Sequence, residues 1–280
     1  MNYENFLNEL DLNNDELALL STAHSKCLND VVQAREYYDK GDEAFGEYLA
    51  TLSEKKGIDV NILNLYLYLR FCENTYEICA SRGISDEDFL EMMSCWRIVS
   101  DICYERTGHY GVAQAVYRSW QRRFVNATIF RLGRLEFETI ASQWDFEVGG
   151  ISIKKGDTCI SVHIPRNDSF DEEACEAAYE RARIFFRKHF GLENVVFVCE
   201  SWLMDPWLEE CLKESSTILS FQKKFKILEV ADRPDIAIGW IFGKKLDDIN
   251  DYAEDTSIRR AAKKKLLAGE RIGTALGARL

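Results

Sequence analysis

From residue 1 to 125 the apolar positions recur at three- and four-residue spacing, which predicts a run of helices. Asp15 can cap a helix carrying Leu17, Leu19, Leu20 and His24. Asp42 or Glu43 opens another, with Phe45, Tyr48, Leu49 and Leu52 on it. Leu63, Tyr66, Leu67 and Arg70 continue the spacing, although the alternation in NLYLYLRF also fits a strand. Ser85, with Asp88 three residues on, resembles a capping box ahead of Phe89, Leu90 and Met93. Val112, Val116, Trp120 and Phe124 fall on one helix face.

After residue 126 the pattern changes. FRLGRLEFETI (130–140) and WDFEVGGISI (144–153) read as strands, and Lys155–Gly156–Asp157 fits a hairpin turn. TCISVHIP (158–165) is a short apolar strand ending at proline. DEEACEAAYERARIFFRKHF (171–190) is an amphipathic helix that Gly191 ends. NVVFVCESW (194–202) reads as a buried strand, and DPWLEECLK (205–213) as a short helix with Asp205 as cap and Pro206 in the first turn. FQKKFKILEV (221–230) and DIAIGWIFG (235–243) are two more expected strands, and Ser257 to Ala268 a last helix. The expected order is β-β-β-α-β-α-β-β with a helical extension. That is an α+β chain with a mixed sheet, not a regular βαβ repeat. Two domains follow: a helical one over 1–126, and a sheet domain over 127–280 in which 253–280 is a basic helix and tail.

At 280 residues and 46% apolar, the chain has material for a substantial core. The acidic start MNYENFLNELDLNNDEL lacks the basic and apolar pattern of a signal peptide. Nine cysteines without a C-x-x-C pair, several inside apolar segments, fit reduced thiols and a cytoplasmic location. With four scattered histidines they offer no zinc-ligand spacing, so no metal is expected. The net charge of −12 speaks against broad nucleic-acid binding. Yet Arg106, Arg118, Arg122, Arg123, Arg131 and Arg134 fall in a stretch without an acid. They form either a receptor for an anion or a face paired with the acidic N-terminal half.

The second half resembles the core of the GCN5-related N-acyltransferase (GNAT) fold. More closely, it is similar to a bacterial branch of acyltransferases with a helical N-terminal domain and a GNAT-like C-terminal domain. The stretches that carry the likeness are FRLGRLEFE (130–138), ISVHIPRNDSFDEEA (160–174), ARIFFRKHF (182–190), CESWLMDPWLEECL (199–212) and FQKKFKI (221–227). The resemblance implies acyl transfer from acetyl-CoA, or another acyl-CoA, to a small-molecule or peptide amine. It implies that strand 158–165 meets the pantetheine by backbone hydrogen bonds. The following loop and helix start would hold the pyrophosphate, through Val162, His163, Ile164, Pro165, Arg166, Asn167 and Ser169. The chain departs from the family at two points. The loop pattern Arg/Gln-x-x-Gly-x-Gly/Ala is missing, and 205–213 holds no tyrosine to serve as acid. Asp168 and Asp171 could instead be plain caps of a helix start.

Direct transfer needs a base for the amine and no nucleophile. Glu136 and Glu138 lie two apart on a strand and share a face with Arg134. They are base candidates or a row of surface charges. His163 ends the presumed cofactor strand and suits proton transfer near neutrality. Glu200 and Trp202 alternate with Cys199 and Ser201 across the next strand, and either pair could meet His163 if the strands are adjacent. Ser201 lacks a G-x-S-x-G elbow. Tyr252 is the nearest downstream acid candidate. The basic run Arg259, Arg260, Lys263, Lys264 and Lys265 reads as a solvated face, a seat for the CoA 3′-phosphate, or a partner of the acidic N-terminal region. The competing reading is a GNAT-fold binding or regulatory protein without catalysis.

Overall fold

The computed structural model describes residues 3–113, 118–165 and 170–280. They divide into two compact units, residues 1–132 and 133–280. The first holds helices α1 (Tyr3–Glu9), α2 (Asn14–Cys27), α3 (Val31–Lys40), α4 (Asp42–Lys56), α5 (Val60–Ser81), α6 (Asp86–Met93), α7 (Cys95–Thr107) and α8 (Arg118–Val125), then strand β1 (Ile129–Leu132).

The segment NLYLYLRF is helical, inside α5. Leu63, Leu65, Tyr66, Leu67, Tyr68 and Leu69 are all fully buried, so this helix is surrounded on every side. A helix apolar all round has no amphipathic period, which is why alternation could be read into it. Its N-cap Asp59 accepts from the N–H groups of Asn61 and Ile62. Against α5 pack Tyr38, Phe45 and Trp96, with Trp96 stacked on Tyr68 at 5.3 Å. Ser85 caps α6 as expected, its Oγ accepting from the Asp88 N–H at 3.1 Å. The cap of α2 is Asn13 rather than Asp15; the Asn13 side chain accepts from the Glu16 N–H at 2.9 Å. Gly111 sits at φ 124°, where an added Cβ would lie 2.2 Å from the Asn61 carbonyl oxygen. That close approach lets Val112 donate to the Asn61 carbonyl and take the Asn64 amide on its own. Among the six arginines, Arg122 pairs with Asp42 and lies 3.8 Å over the Tyr38 ring. Val116 lies outside the described residues.

The second unit holds β2 (Leu135–Ala141), β3 (Phe146–Val148), β4 (Ile151–Ile153), β5 (Thr158–His163), α9 (Glu172–Phe190), β6 (Phe197–Ser201), α10 (Thr217–Lys223), β7 (Lys226–Ala231), α11 (Pro234–Phe242), α12 (Ser257–Leu267) and β8 (Thr274–Arg279). Its sheet runs β2-β5-β6-β8-β7. β2 and β5 are antiparallel, β5 and β6 parallel, and β8 runs antiparallel to both β6 and β7. β3 and β4 form a separate ribbon.

Several expectations are corrected here. The stretch 130–140 is two strands, interrupted at Gly133. The turn at 154–157 forms, with Asp157 donating to the Lys154 carbonyl, but it joins no hairpin: β4 pairs with β3, and β5 with β2. Residues 205–213 form a 3-10 turn, Pro206–Glu210, with Asp205 as its cap. The expected strand 221–230 is the end of α10 followed by β7. DIAIGWIFG is a helix, α11, with Pro234 in its first turn and Gly243 in the left-handed conformation after it. The expected C-terminal helix and tail is α12 followed by β8, a strand of small residues in the middle of the sheet. TALGAR has no β-branched alternation to announce it, and burial rather than propensity makes it a strand. Gly277 is required there, since an added Cβ would lie 2.7 Å from Met204 and 2.9 Å from Phe225.

α9 and α10 cover one sheet face. Tyr179 meets Phe137 and Phe197 edge-on, and Phe221 and Phe225 continue the cluster. On that face Arg279 holds Glu176 through two bonds of 2.8 Å and lies 4.1 Å over Tyr179. The Arg279 guanidinium keeps the Glu176 carboxyl below its usual range. A folded-state pKa below the unfolded one means that the unfolded chain binds more protons as pH falls. This pair therefore adds stability above the ordinary glutamate range and loses it as pH drops through the lowered folded value. Thermal unfolding of Glu176→Gln and the unaltered chain should differ at pH 7, and the difference should shrink as pH falls through the lowered folded value. A difference that stays constant as the pH falls would assign the effect to packing instead.

The other sheet face is covered at one end by the β3–β4 ribbon, where Val148 and Ile153 join Cys159, Val196, Val198, Leu276 and Ala278. The segment between β7 and β8, with α11 and α12, builds its own core around Trp207, Leu208, Ile238, Ile241, Tyr252 and Ile272.

Candidate active site

The strands β5 and β6 share only two ladder pairs, Ile160↔Phe197 and Ser161↔Val198. Both strands continue beyond them. β5 stays paired with β2 up to Glu136↔His163, and β6 stays paired with β8 up to Ser201↔Ala275. Each is held by its outer neighbour while their shared edge parts. Ile160 donates to the Val196 carbonyl, so the even-numbered residues of β5 turn their backbone groups toward β6. The Val162 carbonyl is thus the first group aimed into the split after the ladder ends.

Register places the candidate side chains. Glu136 lies opposite His163 and Glu138 opposite Ser161, so these four share one face. His163 Nε2 lies 3.2 Å from Glu138 Oε2. Both side chains are largely shielded, and Glu136 is buried beside them. Through the pair Ser161↔Val198, Glu200 has the same parity as His163 and faces the same way. It is held by Arg233 at 2.5 Å. Ser201 points to the opposite face, and its hydroxyl accepts from the Leu203 N–H at 3.2 Å, capping a 3-10 turn. The Glu138–His163 pair and the buried Glu136 therefore share the sheet face beside the split with the Glu200–Arg233 pair, and the serine faces the other way.

Val162 is buried, while Ile164 and Pro165 are half-buried; the Pro165 carbonyl accepts from Arg134 at 3.1 Å. Arg166, Asn167 and Ser169, with Asp168, lie outside the described residues. At the start of α9, Asp171 accepts from the Ala174 N–H at 2.8 Å, so one of the orphan donors of this helix is met by its own cap. Between that start and α10 lies a shallow cleft, with room for little more than a water molecule, bordered by Asp171, Glu172, Glu176, Phe221 and Lys224. Lys224 crosses it to Glu172 at 2.8 Å.

Burial pushes the Cys199 thiol, on β6, up to about 12, so it stays protonated at neutral pH and is no nucleophile. All nine cysteines are free thiols. Tyr252 is buried in the core between β7 and β8, its hydroxyl accepting from the Leu246 N–H at 2.9 Å. In the basic run, Arg259 pairs with Asp255, Lys263 with Glu254, and Lys265 with Glu210 and Glu270. These local pairs follow the solvated-face alternative. Among the described residues no group of three or more His, Cys, Asp or Glu is placed to hold a metal. Among them, too, no helix is long and apolar enough to cross a membrane.

Sequence reasoning missed Arg233, which lies between two expected strands, and missed the pair of the buried Asp205 with Arg271. The Glu138–His163 contact needs the register of β2 on β5, which spacing along the chain does not supply.

A mixed sheet with a parting parallel pair, a covering helix after the first of those strands, and β8 inserted beside the second defines a GNAT-like domain. Residues 129–279 match the GNAT-like C-terminal domain and residues 1–127 the N-acyltransferase N-terminal domain, so the chain belongs to this N-acyltransferase family. Among solved structures, it is similar to an acyltransferase in complex with decanoyl-CoA and teicoplanin, at 23% identity and a TM-score of 0.67. That match covers 79% of this chain and 66% of the other. An acyltransferase with CoA and 10C-teicoplanin matches at 22% identity over the same shares, with a TM-score of 0.67. An acyltransferase with decanoyl-CoA matches at 19% identity, with a TM-score of 0.66 over 100% of this chain and 99% of that one. At these identities the likeness is one of fold. No protein of curated function matches the chain.

Proposed function

We propose that the protein transfers an acyl group from acyl-CoA to an amine by direct attack. The observation that carries this is the parting of β5 and β6 with Glu138 and His163 paired on the face beside it. The split exposes strand backbone of Val162 to Pro165, a surface that suits the amides of a pantetheine arm. The amine lone pair attacks the thioester carbonyl carbon; a C–N bond forms and the C–S bond breaks. The Glu138–His163 pair takes up the proton that the amine loses, and the departing sulfur gains one in exchange. Glu138 holds the imidazole in place. Acetyl-CoA is the donor that the family resemblance implies, and the fold neighbours carry octanoyl and decanoyl chains.

Thermal unfolding with increasing acetyl-, octanoyl- and decanoyl-CoA, with ATP as control, tests the donor. A donor at about 100 times its Kd adds about 2.7 kcal/mol of stability. A saturable rise specific to CoA compounds supports the reading, and the strongest of the three identifies the chain length. No rise at millimolar donor favours the second reading, a GNAT-fold binding protein without catalysis. The cap of Asp171 on its own helix start and the acidic border of the adjoining cleft favour that second reading.

A further inference from the structure

α10 buries an amide that the fold leaves unused. Gln222 is 3% exposed, and among the described residues neither its Nε2 nor its Oε1 meets a hydrogen-bond partner. A buried polar group without a partner costs stability, so each one calls for a physical reason. Tyr179, Trp207 and Thr274, in the same unit, each leave one buried atom unmet. Gln222 leaves a donor and an acceptor side by side.

The position of the amide supplies the reason. Around the helix, Gln222 lies between Leu219 and Phe221, both buried, so its side chain leaves α10 from the inner face. α10 packs on Trp202–Met204, the turn into which β6 runs after parting from β5. Met204 and Phe225 both lie against Gly277 of β8. Gly277 pairs with Cys199 and shares its face with Ser201, so the turn and the chain leaving α10 cover the face to which Ser201 points. The amide is therefore held over the end of β6, the wall of the split opposite the Val162 carbonyl.

What such a group can bind follows from its two ends. A phosphate only accepts, an ammonium only donates, and an acyl chain does neither; an amide does both. We propose that Gln222 binds the pantetheine arm of the donor, donating to a carbonyl of the arm and accepting from an N–H. The inference rests on the acyl-transfer reading above and adds a donor-binding residue to it.

The test compares the full chain with Gln222→Leu, which keeps the bulk of the side chain and removes both polar ends. Calorimetric titration uses CoA, which carries the arm whatever the acyl chain, and adenosine 3′,5′-bisphosphate, which lacks the arm. Thermal unfolding of the ligand-free chains is run alongside. Two opposite shifts are expected. The free variant should unfold about 3 °C higher, because the unmet amide is gone. It should bind CoA about tenfold more weakly and the bisphosphate as before. Gln222→Met, unbranched like glutamine, should repeat both shifts. If both variants unfold below the unaltered chain, water or packing already meets the amide, and the proposal falls. It falls too if CoA binding is unchanged, or if the bisphosphate is weakened as much as CoA. Those outcomes leave the transfer reading standing, whereas an unaltered chain that binds no CoA sinks that reading and the proposal together.

Discussion

Replacing His163 with alanine is expected to lower kcat for acyl transfer by about 10²–10⁴-fold, the usual contribution of a general base. KM for acyl-CoA should change little, because the side chain leaves the sheet on one face while the split is bordered by strand backbone. The pH profile separates a chemical role from a structural one. Without the base, the rate depends on amine that is already neutral, so it should climb with pH toward an ordinary amine pKa of about 10. The wild-type and variant rates then converge at high pH. Glu138→Gln should fall between the two, since an amide still reaches the imidazole but cannot stabilise its cation. Steady-state CoA release with a saturating amine measures all three. A His163→Ala rate within about threefold of wild type at neutral pH would remove the imidazole from the mechanism.

Arg271→Ala should cost about 1–3 kcal/mol of stability, the usual effect of leaving a buried polar group without its partner. Asp205 is fully buried, and Arg271 meets it through bonds of 2.8 and 2.5 Å while also donating to the Ala231 carbonyl. The pair ties the turn after β6 to the end of β7. Removing the arginine leaves a carboxylate in the interior with no cation. For a unit of this size the unfolding temperature should fall by roughly 5 °C. The double variant Asp205→Asn with Arg271→Ala should recover part of the loss, because the stranded charge is gone. Calorimetry on the four combinations measures it. A shift of under about 2 °C for Arg271→Ala would show that water reaches Asp205.

How much of this was legible from the residues depends on where burial is one-sided. α9 is half-buried along its length, its Asp171 cap and Gly191 stop are both in the sequence, and its limits follow from pattern. α5 and α11 are apolar on nearly every side, so their periods vanish and both admit a strand reading. β8 is small-residued and buried by its neighbours, a fact about tertiary packing that TALGAR alone does not carry. The site behaved in the same way. Glu136, Glu138, His163 and Glu200 were identifiable as residue types on strands, and strand parity placed Glu136 and Glu138 together. Their placement on one face with His163 and Glu200, and the separation of Ser201, come from two registers that join residues 23 to 37 positions apart.

The strand order carries a consequence for synthesis. β8, later in sequence than every other strand, lies between β6 and β7. Until residues 274–279 leave the ribosome, β6 and β7 have no strand to join them, and β6 presents an open edge rich in Phe197, Val198 and Cys199. Before β8 docks, the parted strands of the second unit are held on one side only. The rigidity of the split therefore depends on a strand made more than seventy residues after β6.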